Sequence, residues 1–151
     1  MSDQLAKILT DLNRHEGLFR LDREELGQQL LDHAADGCRE SFDAQRGPDG
    51  EGWPPLNSDY AAWKARHFPG APMLVREGVL RNDVEFDGER EIDATSAVWT
   101  FGQSEQARQE AVWNQEGDPW RNRPPRPFIG FTESSQAKAA ETLENHFREN
   151  V

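Results

Sequence analysis

Few side chains in this sequence are placed where they could do chemistry. Cys38 is the only thiol, and a nucleophilic role would need a general base beside it. His33 lies five residues earlier on the same helical pattern, about 140° around it, so the two side chains point apart. Nothing in the spacing brings His15, His67 or His146 to the thiol, and a small buried cysteine is the reading the pattern supports. His33 and Asp36 could share a helical face, but two ligands do not make a metal site. The sequence has no His-Glu-x-x-His and no cysteine pair, and Pro48-Asp49-Gly50 lacks the regular oxygen ligands of a calcium loop. No cofactor and no metal are expected.

Two charge patterns stand out. From Asp83 to Asp93 every odd position is acidic, with Val84, Phe86 and Ile92 between them. This ladder could be a carboxylate cluster for glycoside chemistry, a surface that imitates DNA phosphates, or the wet face of a hairpin, and the wet face is the usual case. The second pattern is basic: Arg121, Arg123 and Arg126 fall within six residues, with no glycine-rich phosphate loop after a strand. Such a small patch suits acidic groups on a protein surface better than a nucleic acid.

Composition sets the frame for both. The chain has 151 residues and a formal net charge of −11, with 30% charged and 35% hydrophobic residues. That length predicts one unit spanning residues 1–151, and the charge opposes binding to a phosphate backbone. Five Trp and eight Phe must supply much of the burial. A single cysteine excludes a disulfide framework within the chain and fits a reducing compartment. No basic stretch followed by an apolar run marks the N-terminus, and no window approaches the roughly 18 apolar residues of a membrane span.

The elements that must hold these residues follow from periodicity. Leu5, Ile8, Leu9 and Leu12 predict a short helix stopping near Gly17. Asp22 and Glu25 make a capping pattern for a longer helix, in which Leu26, Leu30, Ala34, Cys38 and Phe42 trace the apolar stripe to about Gly47. Residues 48–56 hold three prolines and two glycines and must be a loop, anchored by Trp53 and Leu56. Asn57 or Ser58 caps a helix through Lys64 that ends at Phe68-Pro69-Gly70. A helical turn at Met73–Arg76 then leads through Gly78 and Leu80 into extended chain. Asp87-Gly88 signals a hairpin, and Ala97–Phe101 reads as a further strand.

A helix is expected over about 104–115 with Ala107, Ala111 and Val112 inward. A proline- and arginine-rich loop follows, carrying Trp120, and Pro127–Phe131 is either strand or turn. Thr132 caps the last helix, with Ala140, Leu143 and Phe147 as its buried stripe. The expected class is α+β: N-terminal helices (1–47) packed on a small, mostly antiparallel sheet with its loops (48–131), closed by a C-terminal helix (132–151).

The loops carry a further signal. Phe42, Pro48-Asp49-Gly50, Trp53 and Leu56, with Lys64 in the next helix, form a first segment. A second is Leu74-x-x-x-Gly78-x-Leu80, and a third is Ala111-Val112-Trp113-Asn114-Gln115-Glu116-Gly117. The fourth is Pro124-Pro125-Arg126-Pro127-Phe128-Ile129-Gly130. In this order, over about 70% of the chain, they resemble the phage virion morphogenesis family, the tail-completion proteins of contractile-tailed and Mu-like phages. The third segment departs from the family's pattern, since Asn114 stands where a histidine is common; a structural role fits that substitution.

The resemblance implies a structural protein without catalysis. It would complete the tail and support head–tail joining by docking in a homo-oligomeric ring with other tail and connector proteins. The virion neck, reached through the host cytoplasm, is the implied location, with no membrane and no direct nucleic-acid contact. A head-side connector, or a minor tail component, is the nearest alternative; an acidic inhibitor that mimics DNA belongs to another class, and a small hydrolase would require a cleft with convergent polar groups. Interface candidates are Trp53, Trp120, Arg121, Arg126 and Phe128, because aromatic residues and arginine dominate interface energetics. Each aromatic residue could equally pin its own loop to its own core.

Overall fold

The computed structural model describes residues 23–84, 89–93, 96–102 and 104–149. The expected first helix, the cap at Asp22 and the Asp87-Gly88 turn lie outside them. In chain order the described elements are α1 (Arg23–Ala44), α2 (Ser58–His67), α3 (Val79–Asn82), β1 (Glu89–Ile92), β2 (Ala97–Thr100), α4 (Glu105–Glu116), a 3-10 turn (Pro119–Arg121) and α5 (Glu133–Glu149). The chain is therefore α+β: α1 packs on both strands and on the closing C-terminal helix α5.

Helix α1 buries Gly27, Leu31, Ala35, Cys38 and Phe42, while Leu26, Leu30 and Ala34 are only half-buried. The difference from the expected stripe is geometric. Pure i, i+4 steps drift about 40° each around a helix of 3.6 residues per turn, so a straight face must mix steps of three and four. In α5 the expected stripe holds only in part: Ser135 and Ala139 are buried, Leu143 and Phe147 half-buried, and Ala140 is exposed. In α4, Ala107, Ala111 and Asn114 are buried, and Val112 faces out.

Close approach of α1 to the start of α5 depends on Gly37. A Cβ there would lie 2.5 Å from the Gly130 carbonyl oxygen and 2.7 Å from Ser135 Oγ. Thr132 caps α5, its Oγ1 accepting from Ser135 N at 3.1 Å and itself donating to Glu40 Oε2 on α1. His33 Nε2 and Thr142 Oγ1, 2.8 Å apart, form a further link between these helices.

Helix α2 begins as expected, with Asn57 Oδ1 accepting from Asp59 N at 2.9 Å, and ends with Phe68 N donating to the Lys64 carbonyl. Beyond it the chain departs from the expected helical turn followed by extended chain. Residues 73–76 form turns and bends without a helix, and the helix comes at Val79–Asn82, where extended chain was expected. Gly78, with φ of 81°, supplies the left-handed residue that starts it.

Asp83 and Val84 continue as a helical turn and are buried, so the acidic ladder does not begin in a strand. Its alternation holds within β1, where Glu89 and Glu91 are exposed and Arg90 and Ile92 half-buried. β1 pairs antiparallel with β2, Glu89 opposite Thr100 and Ile92 opposite Ala97, and Asp93 N donates to the Ser96 carbonyl to close the hairpin.

The core gathers Cys38, Phe42, Trp53, Leu80, Val84, Ala111 and Phe128, with Trp99 and Phe101 packed against it. Phe42 is its centre: its ring lies 5.0 Å from Phe128 and 6.0 Å edge-on from Trp53, and Phe101 meets Phe128 at 5.4 Å. Burying each such aromatic side chain contributes about 1.5–3 kcal/mol.

Candidate docking surface

Two proline-rich loops, distant in sequence, are stitched together on one side of this core. Trp53 Nε1 donates to the Pro127 carbonyl at 2.8 Å. In return Arg126 donates from Nε to the Pro54 carbonyl and from Nη2 to the Pro55 carbonyl, both at 2.8 Å. The second loop is also held from α4: Gln115 Oε1 accepts from the backbone N–H groups of Phe128 and Ile129, each at 3.2 Å. Residues 127–131 therefore have neither strand nor helix partners and rely on side chains for their backbone bonds.

Trp53, Arg126 and Phe128 are buried within this chain. The contacts described for them run to this chain's own loops and core. Trp120 and Arg121 are placed differently. The loop from Asp118 to Arg123 is closed by paired backbone bonds of 2.9 Å between those two residues, with Arg121 N donating to the Asp118 carbonyl inside it. The Trp120 indole projects from this fixed turn 98% exposed.

Beside Trp120, Arg121 and Arg123 place their guanidinium carbons 4.8 and 5.5 Å from the centre of the Trp113 ring, a cation–π arrangement that orients both. Arg121 also lies 3.7 Å from the Asp118 carboxylate. These groups border a cleft of about 380 Å³ between α2, α4 and the loops, lined by Lys64, Arg76, Arg121, Arg123 and Arg126. Glu110 is the acidic residue lining it among those described.

Lys64 is 5% exposed and donates from Nζ to the Pro72 carbonyl; Arg126 is 4% exposed. Burial pushes the Lys64 ammonium below the usual lysine range. For Arg126 burial acts first and the charge of Arg123 second, both lowering its pKa. Asn114, the position where the family commonly has histidine, also borders the cleft. Its Nδ2 donates to the Glu110 carbonyl at 2.8 Å and its backbone oxygen accepts from Arg126 N. It is a structural contact between α4 and the second loop.

The residues weighed for catalysis do not converge. Cys38 is buried, and desolvation raises its pKa more than the Gly130 backbone bond and Arg39 lower it. Asp36 is engaged by Arg39 at 2.7 Å and by Lys138 at 3.9 Å instead of sharing a ligand with His33. Among the described residues no three His, Cys, Asp or Glu side chains group as a metal site, and no helix is long and apolar enough to cross a membrane.

The basic cleft was not foreseen from sequence. Its five cations come from α2, a turn and the second proline loop, and no local spacing links Lys64 or Arg76 to Arg126. The one local signal was the arginine run itself.

The model of the phage virion morphogenesis family matches residues 2–148, and the chain belongs to that family. No curated protein and no solved structure matches it. The family is structural, and membership implies contact with other virion proteins.

Proposed function

We propose that this protein, acting as one unit over residues 1–151, completes the phage tail and supports its joining to the head by docking in a ring, without catalysis. Family membership supplies the class. The observation that carries the docking role is Trp120: a fully projecting indole on a backbone-locked turn, beside an arginine oriented by a second tryptophan. An exposed indole gains when a neighbour covers it, and the closed turn leaves little backbone ordering to be lost on docking. Trp120 and Arg121 are the contact residues of this reading; Trp53, Arg126 and Phe128 shape the surface from beneath. The site of action is the virion neck, after assembly in the host cytoplasm.

The test uses tails assembled without the protein. Purified protein is added, tails are viewed by negative-stain microscopy, and joining to heads is scored by complementation. Binding at one tail end with restored joining supports the reading, and Trp120→Ala should then reduce both. Tails that are neither bound nor rescued would refute it.

A further inference from the structure

We propose that the arginine-walled cleft is the acceptor half of a head-to-tail contact between copies of this chain, receiving carboxylates from the acidic surface of a second copy. The inference deepens the ring reading and rests on it.

Two buried cations carry the argument. Lys64 and Arg126 line the same cleft, and neither has a carboxylate within ion-pair distance among the described residues. Their hydrogen bonds go to the peptide carbonyls of Pro72, Pro54 and Pro55, which satisfy donors without cancelling charge. A buried charge without a counter-charge is costly, and Arg123 adds like charge to Arg126. The cleft is thus a concentrated positive field that a carboxylate would relieve.

Charge complementarity names the occupant. Among the described residues five Lys and Arg line this cleft, whereas Glu110 is its one acidic lining residue in a chain of net charge −11. The other described acidic residues therefore lie elsewhere on the molecule, and a second copy offers them to the cleft. A space of about 380 Å³ admits a few carboxylate side chains from such a surface and not a folded element. Pro119 and Asn122, which flank the Trp120–Arg121 pair, line an adjoining shallow hollow, so the turn that bears Trp120 borders the same face. A nucleic acid would bring its phosphates against the remaining acidic surface. A cleft on one copy meeting an acidic surface on the next is a heterologous contact, which closes into a ring where the rotation between copies closes.

The experiment is sedimentation velocity on the full chain over a range of concentrations at low and at molar salt. The double variant Arg121→Glu with Arg123→Glu is run beside it, after circular dichroism shows it folded; if it is not, Arg121→Gln with Arg123→Gln replaces it. The parent should associate with rising concentration at low salt, dissociate at molar salt, and bind its own kind at least about tenfold more tightly than the variant. A parent that stays monomeric at low salt, or a folded variant that associates as the parent does, overturns the proposal. So does a labelled DNA oligonucleotide that binds the parent but not the variant, since the cleft would then take phosphates. The tail assay separates the two readings: a monomeric parent that still rescues tails sinks only the self-contact, whereas one that neither binds nor rescues tails sinks tail completion whatever its association.

Discussion

At the scale of residues, the five interface candidates divide by what surrounds them. Arg126 satisfies two peptide carbonyls from under the surface, so Arg126→Met should cost about 2–4 kcal/mol in chemical denaturation, by stranding those carbonyls and loosening both loops. Phe128→Ala should cost about 3–5 kcal/mol, since its ring is wholly buried against Phe42 and Phe101. Trp120→Ala should leave stability within about 0.5 kcal/mol and act on docking alone. Sequence could not make this division. A tryptophan beside prolines looks the same whether its N–H finds a carbonyl 74 residues away, as Trp53 does, or faces water. Cys38 was legible from its place on an apolar helical face; buried and held in its thiol form, it should react with thiol reagents only as the protein unfolds, which a time course against denaturant would show.

At the scale of elements, the helices with clear caps were the most readable. Asn57, Ser104 and Thr132 each accept a bond from the first turn of the helix they precede, and all three stood where polar residues meet a helical period. Boundaries failed where tertiary contacts override local pattern. Gln45 binds the backbone N and O of Met73 and holds residues 73–76 as turns, and Gly78 moves the helix downstream. The α1–α5 contact makes two predictions. Gly37→Ala should destabilise by about 1–3 kcal/mol, because the new methyl meets a backbone carbonyl that cannot rotate away. The Thr132 hydroxyl, foremost, holds the Glu40 carboxyl below its usual range. A depressed folded pKa stabilises fully above the unfolded glutamate's titration and is lost as pH falls through the folded value. Glu40→Gln should therefore lower stability at neutral pH, and the gap between variant and parent should close in acid, as melts across the pH range would record.

At the scale of the whole molecule, the α+β class and its closing helix followed from periodicity and from the order of loop segments, while the cleft could not. Its cations are brought together only when α2, the turn at Arg76 and the second proline loop are packed, and a net charge of −11 concealed a local basic field. The stitching between the two loops also sets an order in time. The Pro54 and Pro55 carbonyls wait for Arg126, and the Trp53 indole waits for Pro127, so the first loop cannot take its final shape until the chain has been synthesised to Phe128 or beyond. The turn bearing Trp120 closes on its own backbone bonds between Asp118 and Arg123, whereas the cleft is complete only when Arg126 is in place. On the docking reading proposed above, a subunit still on the ribosome, or one truncated before that point, would lack the cleft, and competence to join a particle would come with the finished fold.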